Sequence, residues 1–150
     1  QDADLEYDPN DFFMLIKPII EKKTNIVYGS RFLNKKKNVR FYFLTNYRVF
    51  GNYLLTLISN LLNSQNLTDA HTCYKVFKKN TFDRINLMEN RFAFCPEITT
   101  KIALINEKIL EVPIDYQARN YQNGKKIRLI DAFDALKALI IYRFFKKNIW

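Results

Sequence analysis

Glycine and proline are scarce, at 3 and 4 of 150 residues, which excludes collagen-like repeats and Gly-rich linkers. The two cysteines, Cys73 and Cys95, are too few for a disulfide scaffold or a four-cysteine zinc site, and a reduced, cytosolic setting is the simpler reading. No run of about 18 apolar residues occurs, so no segment reads as a clear membrane-spanning helix. The nearest candidate, residues 43–62, is interrupted by Asn46, Arg48, Asn52 and Asn60. The first residues lack the basic region and apolar core of a signal peptide. They open on Gln1 rather than Met, which reads as a processed, trimmed or partial chain.

What is present is globular. Apolar residues make up 48% and charged residues 26%, and the length suits one domain. Lys and Arg exceed Asp and Glu by 24 to 15, giving a net charge of +9. Such an excess suggests an anionic partner: nucleic acid, a lipid surface or phosphorylated small molecules. Richness in Lys, Asn and Ile together also fits a background bias with no partner behind it. Nucleic acid is set aside, because no basic stripe with interleaved aromatics and no recognised motif accompanies the charge.

Along the chain, Asp8 and Pro9 suit the start of a helix running to about residue 22, with Pro18 kinking or shortening it. Residues 25–28 read as a short buried strand ending at Gly29. A long helix is expected over 43–62, a strand over 72–77, a short helix over 81–85 and a helix over 97–105, with Ile98, Ile102 and Ile105 on one face. Residues 108–114 read as a further strand. The last helix, 129–145, carries Leu129, Phe133, Leu136, Ile140 and Phe144 along one side. Alternating strands and helices indicate an α/β fold.

The opening holds the sharpest local signal. Asp2 and Asp4 are two apart and Glu6 stands two further on. In an extended or tightly turned segment such carboxylates converge on one hard cation, and oxygen ligands suit Mg²⁺ or Mn²⁺. An EF-hand loop is excluded, because Tyr7 stands where the turn glycine belongs and Phe13 where the bidentate Glu belongs. The competing reading is an acidic helix start favoured by the helix dipole. Tyr28-Gly29-Ser30-Arg31 brings a guanidinium to the carboxyl edge of a sheet, where α/β proteins gather ligands and where Arg suits bidentate phosphate contacts. A plain surface Arg after a turn fits the tetrapeptide as well.

Asp69, His71, Cys73 and Lys75 lie close together in sequence. A Cys/His nucleophile pair is one reading. The other is a packed Cys73 and a structural His71, and ligands for a zinc site are too few. Residues 116–127 place Arg119, Lys125 and Lys126 around Gly124. That is the composition of a phosphate-binding loop without a Walker pattern, or of a solvated basic loop.

The order of these segments carries more than any one of them. Asp2-Ala3-Asp4-Leu5-Glu6 is followed by Val27-Tyr28-Gly29-Ser30-Arg31-Phe32, then Leu67-Thr68-Asp69 with Thr72-Cys73-Tyr74-Lys75-Val76-Phe77. Arg91-Phe92 with Pro96-Glu97-Ile98 comes next, then Glu111-Val112-Pro113-Ile114 with Tyr116 and Arg119, then Gly124-Lys125-Lys126-Ile127 with Asp131. The series resembles the family 2 glycosyltransferases of the dolichol-phosphate mannose synthase, or polyprenyl-phosphate glycosyltransferase, type. The resemblance covers nearly the whole chain.

It implies a GT-A-like nucleotide-diphospho-sugar transferase fold of the α/β class, here incomplete. The family's nucleotide-binding N-terminal half, about 60–90 residues of βα units, is not in the sequence, so residues 1–150 read as the C-terminal part of a single glycosyltransferase domain. By position, Asp2, Asp4 and Glu6 match the motif that holds Mg²⁺ or Mn²⁺ under the donor diphosphate, Glu6 standing where Gln is common. Arg31 matches the Arg that contacts the acceptor phosphate, and Arg40 or Arg48 a second acceptor Arg. Asp69 matches the aspartate at the reaction centre, and Arg119 and Lys125 the pair that clamps the donor phosphates.

The implied reaction is inverting transfer of a hexose from a nucleotide-sugar, of the GDP-mannose or UDP-hexose type, to a polyprenyl or dolichyl phosphate. A phosphate acceptor needs no strong base; a sugar hydroxyl would, and Asp69 and Glu97 are the candidates for that case. The expected partners are the nucleotide-sugar, the lipid phosphate, a membrane surface on its cytoplasmic face and a partner supplying the N-terminal half. The alternative is a non-catalytic remnant or partner subunit that binds phosphates or a membrane surface.

Overall fold

The computed structural model describes residues 6–33, 47–117 and 129–145. Asp8 accepts a hydrogen bond from the Asn10 N–H at 2.9 Å, and Pro9 opens a 3-10 turn, Pro9–Asp11, that runs into helix α1 (Phe12–Ile20). The helix stops short of residue 22. Lys22 turns left-handed at φ 58°, its N–H reaches the Ile19 carbonyl, and the Lys23 N–H reaches that of Pro18. This is a Schellman stop with Lys where glycine is usual.

Strand β1 (Ile26–Ser30) is the centre of a three-stranded sheet, and all five of its residues are buried. On one side it pairs antiparallel with β2 (Lys75–Phe77), Ile26 opposite Phe77. On the other it pairs parallel with β3 (Ile109–Pro113), from Ile26 opposite Ile109 to Ser30 opposite Pro113. Both parallel strands therefore end at the same carboxyl edge. Alternate residues of β1 serve opposite faces. Val27 packs with Leu15, Tyr74 and Ile114; Ile26 and Tyr28 pack with Leu67, Ile85, Ile98 and Ile102.

Gly29 does not end the strand, as the sequence suggests, but lies inside it. A Cβ there would sit 2.7 Å from Ile114 Cγ2 and 3.1 Å from Tyr74 Cβ. The glycine is required by close packing across the sheet and not by a turn.

The remaining helices are α2 (Tyr47–Asn63), α3 (Lys79–Phe82), α4 (Phe94–Leu104, after a 3-10 turn at Arg91–Ala93) and α5 (Leu129–Ile140), which continues as a π turn over Ile141–Phe145. In α4 the expected Ile98 and Ile102 are buried, with a buried ion pair beside them: Lys101 Nζ lies 2.8 Å from Glu97. Glu97 also accepts from the Met88 and Glu89 N–H groups, and Lys101 donates to the Asn86 carbonyl and lies over the Tyr142 ring. This network fastens residues 86–89 and the C-terminal π turn to α4, and it occupies the Glu97 carboxylate.

The expected face of the last helix is reversed. In α5 the buried side is Ala135, Ala138 and Leu139, continued by Tyr142, whereas Phe133, Ile140 and Phe144 face outward. In α2 the buried positions include Thr56, Ser59 and Asn63, while Phe50, Tyr53, Leu54, Leu57 and Leu61 face outward. Among the described residues, no helix is long and apolar enough to cross a membrane.

Candidate active site

The site is built where β1 and β3 end together. Arg31 follows β1 directly. Its Nε and Nη2 donate to the two oxygens of Asp69, at 2.6 and 2.8 Å, and its backbone N–H adds a third bond at 3.2 Å. Asn52, on α2, donates to the same carboxylate at 3.3 Å. Asp69 has a side-chain exposure of 0%, against 15% for Arg31, so of the pair only Arg31 keeps some exposure to solvent. Two of its five N–H donors are used by Asp69.

Burial works to raise the Asp69 pKa, but the Arg31 charge and its hydrogen bonds outweigh burial and hold the carboxyl below its ordinary value. Burial likewise works against the Arg31 charge, and Asp69 more than restores it. Removing one member of such a pair strands a buried charge, at a cost of about 3–5 kcal/mol.

Asp69 sits in a loop that α2 helps to shape. Asn60 acts as a substitute backbone: its amide donates to the Leu67 carbonyl at 2.8 Å and accepts from the Leu67 N–H at 2.9 Å. Thr56 accepts from the Ala70 N–H. This explains the polar inner face of α2. From β3, Glu111 accepts from the Thr68 N–H, the Thr68 hydroxyl and the Asp69 N–H at 2.7, 2.9 and 2.9 Å. Burial pushes its carboxyl above the ordinary value, while the bonds from Thr68 and Asp69 pull it back.

Aromatic rings form the other wall. Arg31 lies over Tyr116 at 5.1 Å and Phe32 at 5.6 Å. Tyr116 is tilted against Tyr7, which stacks on Tyr74. The Tyr116 hydroxyl donates to Glu6 Oε2 at 2.8 Å, and the Gln117 N–H donates to the Glu6 carbonyl at 3.0 Å. A short antiparallel bridge joins Tyr7 to Tyr116. Glu6 and Tyr7 are thereby tied to the segment leaving β3. A carboxylate oriented by a phenol is the kind of outer support that metal ligands have, and Glu6 offers a hard oxygen suited to Mg²⁺ or Mn²⁺. Among the described residues, no group of three or more His, Cys, Asp or Glu side chains could hold a metal.

Of the residues singled out in the sequence, the structure brings Arg31 and Asp69 into contact and links Glu6 to them through Tyr116. Asp2, Asp4, Arg40, Arg119 and Lys125 lie outside the described residues, as does the Arg48 side chain. His71 is half-buried, and its pKa is lowered to about 4 by burial and by the charge of Lys75. Cys73 packs against the Tyr7 cluster, and its N–H donates to the Tyr7 hydroxyl. A cleft of about 370 Å³ between Glu89–Ala93 and α5 contains none of the site residues.

The sequence reading missed Asn52 and the role of Glu111. A charged residue in the middle of the apolar run Ile109-Leu110-Glu111-Val112 is the signal that points to Glu111.

This is a mixed α/β domain with a cation held by a buried carboxylate at the carboxyl edge of parallel strands. The profile of glycosyl transferase family 2 matches residues 1–85, just over half of the chain, and the chain belongs to that family. It is 25% identical over 148 residues to an uncharacterized protein of Methanocaldococcus jannaschii, a match that covers 96% of this chain and 59% of the relative. It is 26% identical over 144 residues to the UDP-N-acetylglucosamine–dolichyl-phosphate N-acetylglucosaminyltransferase of Methanococcus voltae, covering 95% of this chain and 56% of the relative. The chain thus spans less than three fifths of the length of these relatives. No solved structure matches it.

Proposed function

We propose that the protein transfers a hexose, with inversion, from a nucleotide-sugar of the GDP-mannose or UDP-hexose type to a polyprenyl or dolichyl phosphate. The observation that carries this reading is Arg31: a guanidinium at the carboxyl edge, oriented by a fully buried Asp69, on a side chain that is still partly exposed. The family match supports glycosyl transfer, and the named activity of the Methanococcus voltae relative supports a lipid phosphate as acceptor.

In this reading Arg31 binds the acceptor phosphate and holds it in line with the anomeric carbon, a proximity effect. Asp69 acts through Arg31 and does not touch substrate. A phosphate monoester is already anionic near neutral pH, so it attacks without a protein base. Arg119 and Lys125 bind the donor phosphates. Asp2, Asp4 and Glu6 are the residues that would hold a divalent cation, and such a cation would supply positive charge for the donor diphosphate. The outward apolar face of α2 rests on the cytoplasmic surface of a membrane, near the lipid acceptor. The nucleotide-binding part comes from a segment or partner beyond these residues.

The test is transfer of labelled sugar from GDP-mannose or UDP-glucose to a short polyprenyl phosphate with Mn²⁺, using this chain joined to a family N-terminal half. Arg31→Ala is expected to raise the acceptor KM about 100-fold, the scale of a lost charged hydrogen-bond pair, with the donor KM unchanged. Asp4→Ala is expected to abolish metal-dependent transfer. Undiminished transfer by Arg31→Ala would remove the acceptor-site reading.

A further inference from the structure

We propose that Glu111 is a positioning residue that sets the orientation of Arg31; its consequence for the acceptor rests on the reading above. Glu111 bonds to the Thr68–Asp69 loop and not to Arg31, yet it reaches Arg31 by two routes. The first runs through the main chain. The Glu111 carboxylate accepts from the Asp69 N–H at 2.9 Å, and the Asp69 side chain then takes both Nε and Nη2 of Arg31.

The second route runs through hydroxyls. Thr68 spends its single hydroxyl proton on Glu111 at 2.9 Å, so in its 2.5 Å contact with Ser30 it accepts and Ser30 donates. The Ser30 oxygen is then left to accept from the Phe32 and Leu33 N–H groups, at 3.2 and 3.1 Å. Those bonds shape the turn that carries Arg31 out of β1. In the second route one carboxylate thereby fixes the direction of both hydroxyl protons.

The arrangement needs an acceptor-only side chain. Glutamine in place of Glu111 presents an NH₂ group either to the Thr68 pair or to the Asp69 N–H, setting donor against donor. The family-like segment Glu111-Val112-Pro113-Ile114 then has a defined task. It places an acceptor at the third-from-last residue of the strand, where it reaches the neighbouring loop while its backbone pairs with Tyr28.

The test separates positioning from catalysis. The exchange of the Arg31 Nε–H with water is followed by ¹⁵N NMR in the full-length protein, alongside the acceptor and donor KM values. Glu111→Gln is expected to speed that exchange about tenfold and to raise the acceptor KM by a similar factor, the scale of one charged hydrogen bond. The donor KM should not move. In an Arg31→Ala background the same substitution should change the acceptor KM no further, because coupled residues are non-additive.

Unchanged Arg31 exchange in Glu111→Gln overturns the inference whatever the activity. Additive effects on the acceptor KM overturn it as well. Faster exchange with an acceptor KM insensitive to both Glu111→Gln and Arg31→Ala leaves Glu111 as the positioning residue and removes the acceptor role of Arg31. Should Glu111→Gln fail to fold, Thr68→Val, which cuts only the hydroxyl route, carries the same readouts. An unaltered Arg31 exchange rate there counts against the inference.

Discussion

Asp69 and His71 are two residues apart and respond to acid in different ranges. In the unfolded chain His71 titrates near its ordinary value of about 6.5; in the folded protein its pKa is lowered to about 4, by burial first and by Lys75 next. The unfolded state therefore takes up this proton before the native state does. Stability from His71 is complete above about pH 6.5 and falls as the pH drops toward 4, by at most about 3 kcal/mol. Asp69 adds a second loss at lower pH. Its folded pKa lies below the ordinary carboxylate value, so its contribution is intact above that value and disappears as the pH falls through the folded one. Urea midpoints measured from pH 7 to pH 3 should fall in two stages. His71→Gln, with no imidazole to protonate, should flatten the upper stage and leave the lower one. An unchanged upper slope in that variant would assign the first loss to another group.

At the scale of elements, the sequence is most readable where one kind of residue has one task. Helix α4 shows Ile98 and Ile102 at helical spacing, and both are buried. Strands β1 and β3 lie within a residue or two of their apolar runs. Legibility fails in α5 because its inner face packs through Ala135 and Ala138, whose small side chains leave no large apolar signal, while Phe133 is 71% exposed. It fails in α2 because Asn52, Thr56 and Asn60 look like interruptions in an apolar run, yet they are the inner face that bonds the Asp69 loop. Site residues follow the same division. Arg31 and Asp69 stand in short, recognisable blocks, whereas the Glu111 link joins positions 43 apart in sequence and only the β1–β3 pairing brings them together. Gly29 is visible in the sequence but its reason is not. Gly29→Ala places a methyl group against Ile114, and overpacking of this kind is expected to destabilise the domain by about 1–3 kcal/mol. Thermal unfolding checks it. Restoration of the lost stability by a second change, Ile114→Val, would locate the strain at that contact, and an unaffected midpoint in Gly29→Ala alone would show that Ile114 can move aside.

For the whole molecule, the question is what meets the outward face of α2. Phe50, Leu54, Leu57 and Leu61 recur at helical spacing, and Leu61 is 82% exposed. The polar side of the helix cannot turn outward to replace them, because it is committed to the Leu67–Ala70 loop. The chain also carries a net charge of +9. An apolar helix face on a cationic protein suits an anionic lipid surface, where burial of leucines adds to electrostatic attraction. Binding to vesicles containing phosphatidylserine is therefore expected, and it should weaken as salt rises. Leu57→Glu with Leu61→Glu should lower the partition coefficient at least about tenfold, since burying each leucine is worth about 1.5–3 kcal/mol. The same double variant should leave the fold intact, because both side chains already face solvent and surface substitutions typically shift stability by no more than about 0.5 kcal/mol. A protein-facing role for α2 predicts the opposite pattern: the double variant would lose stability in the full-length protein, and vesicle binding, where present, would be unaffected by it.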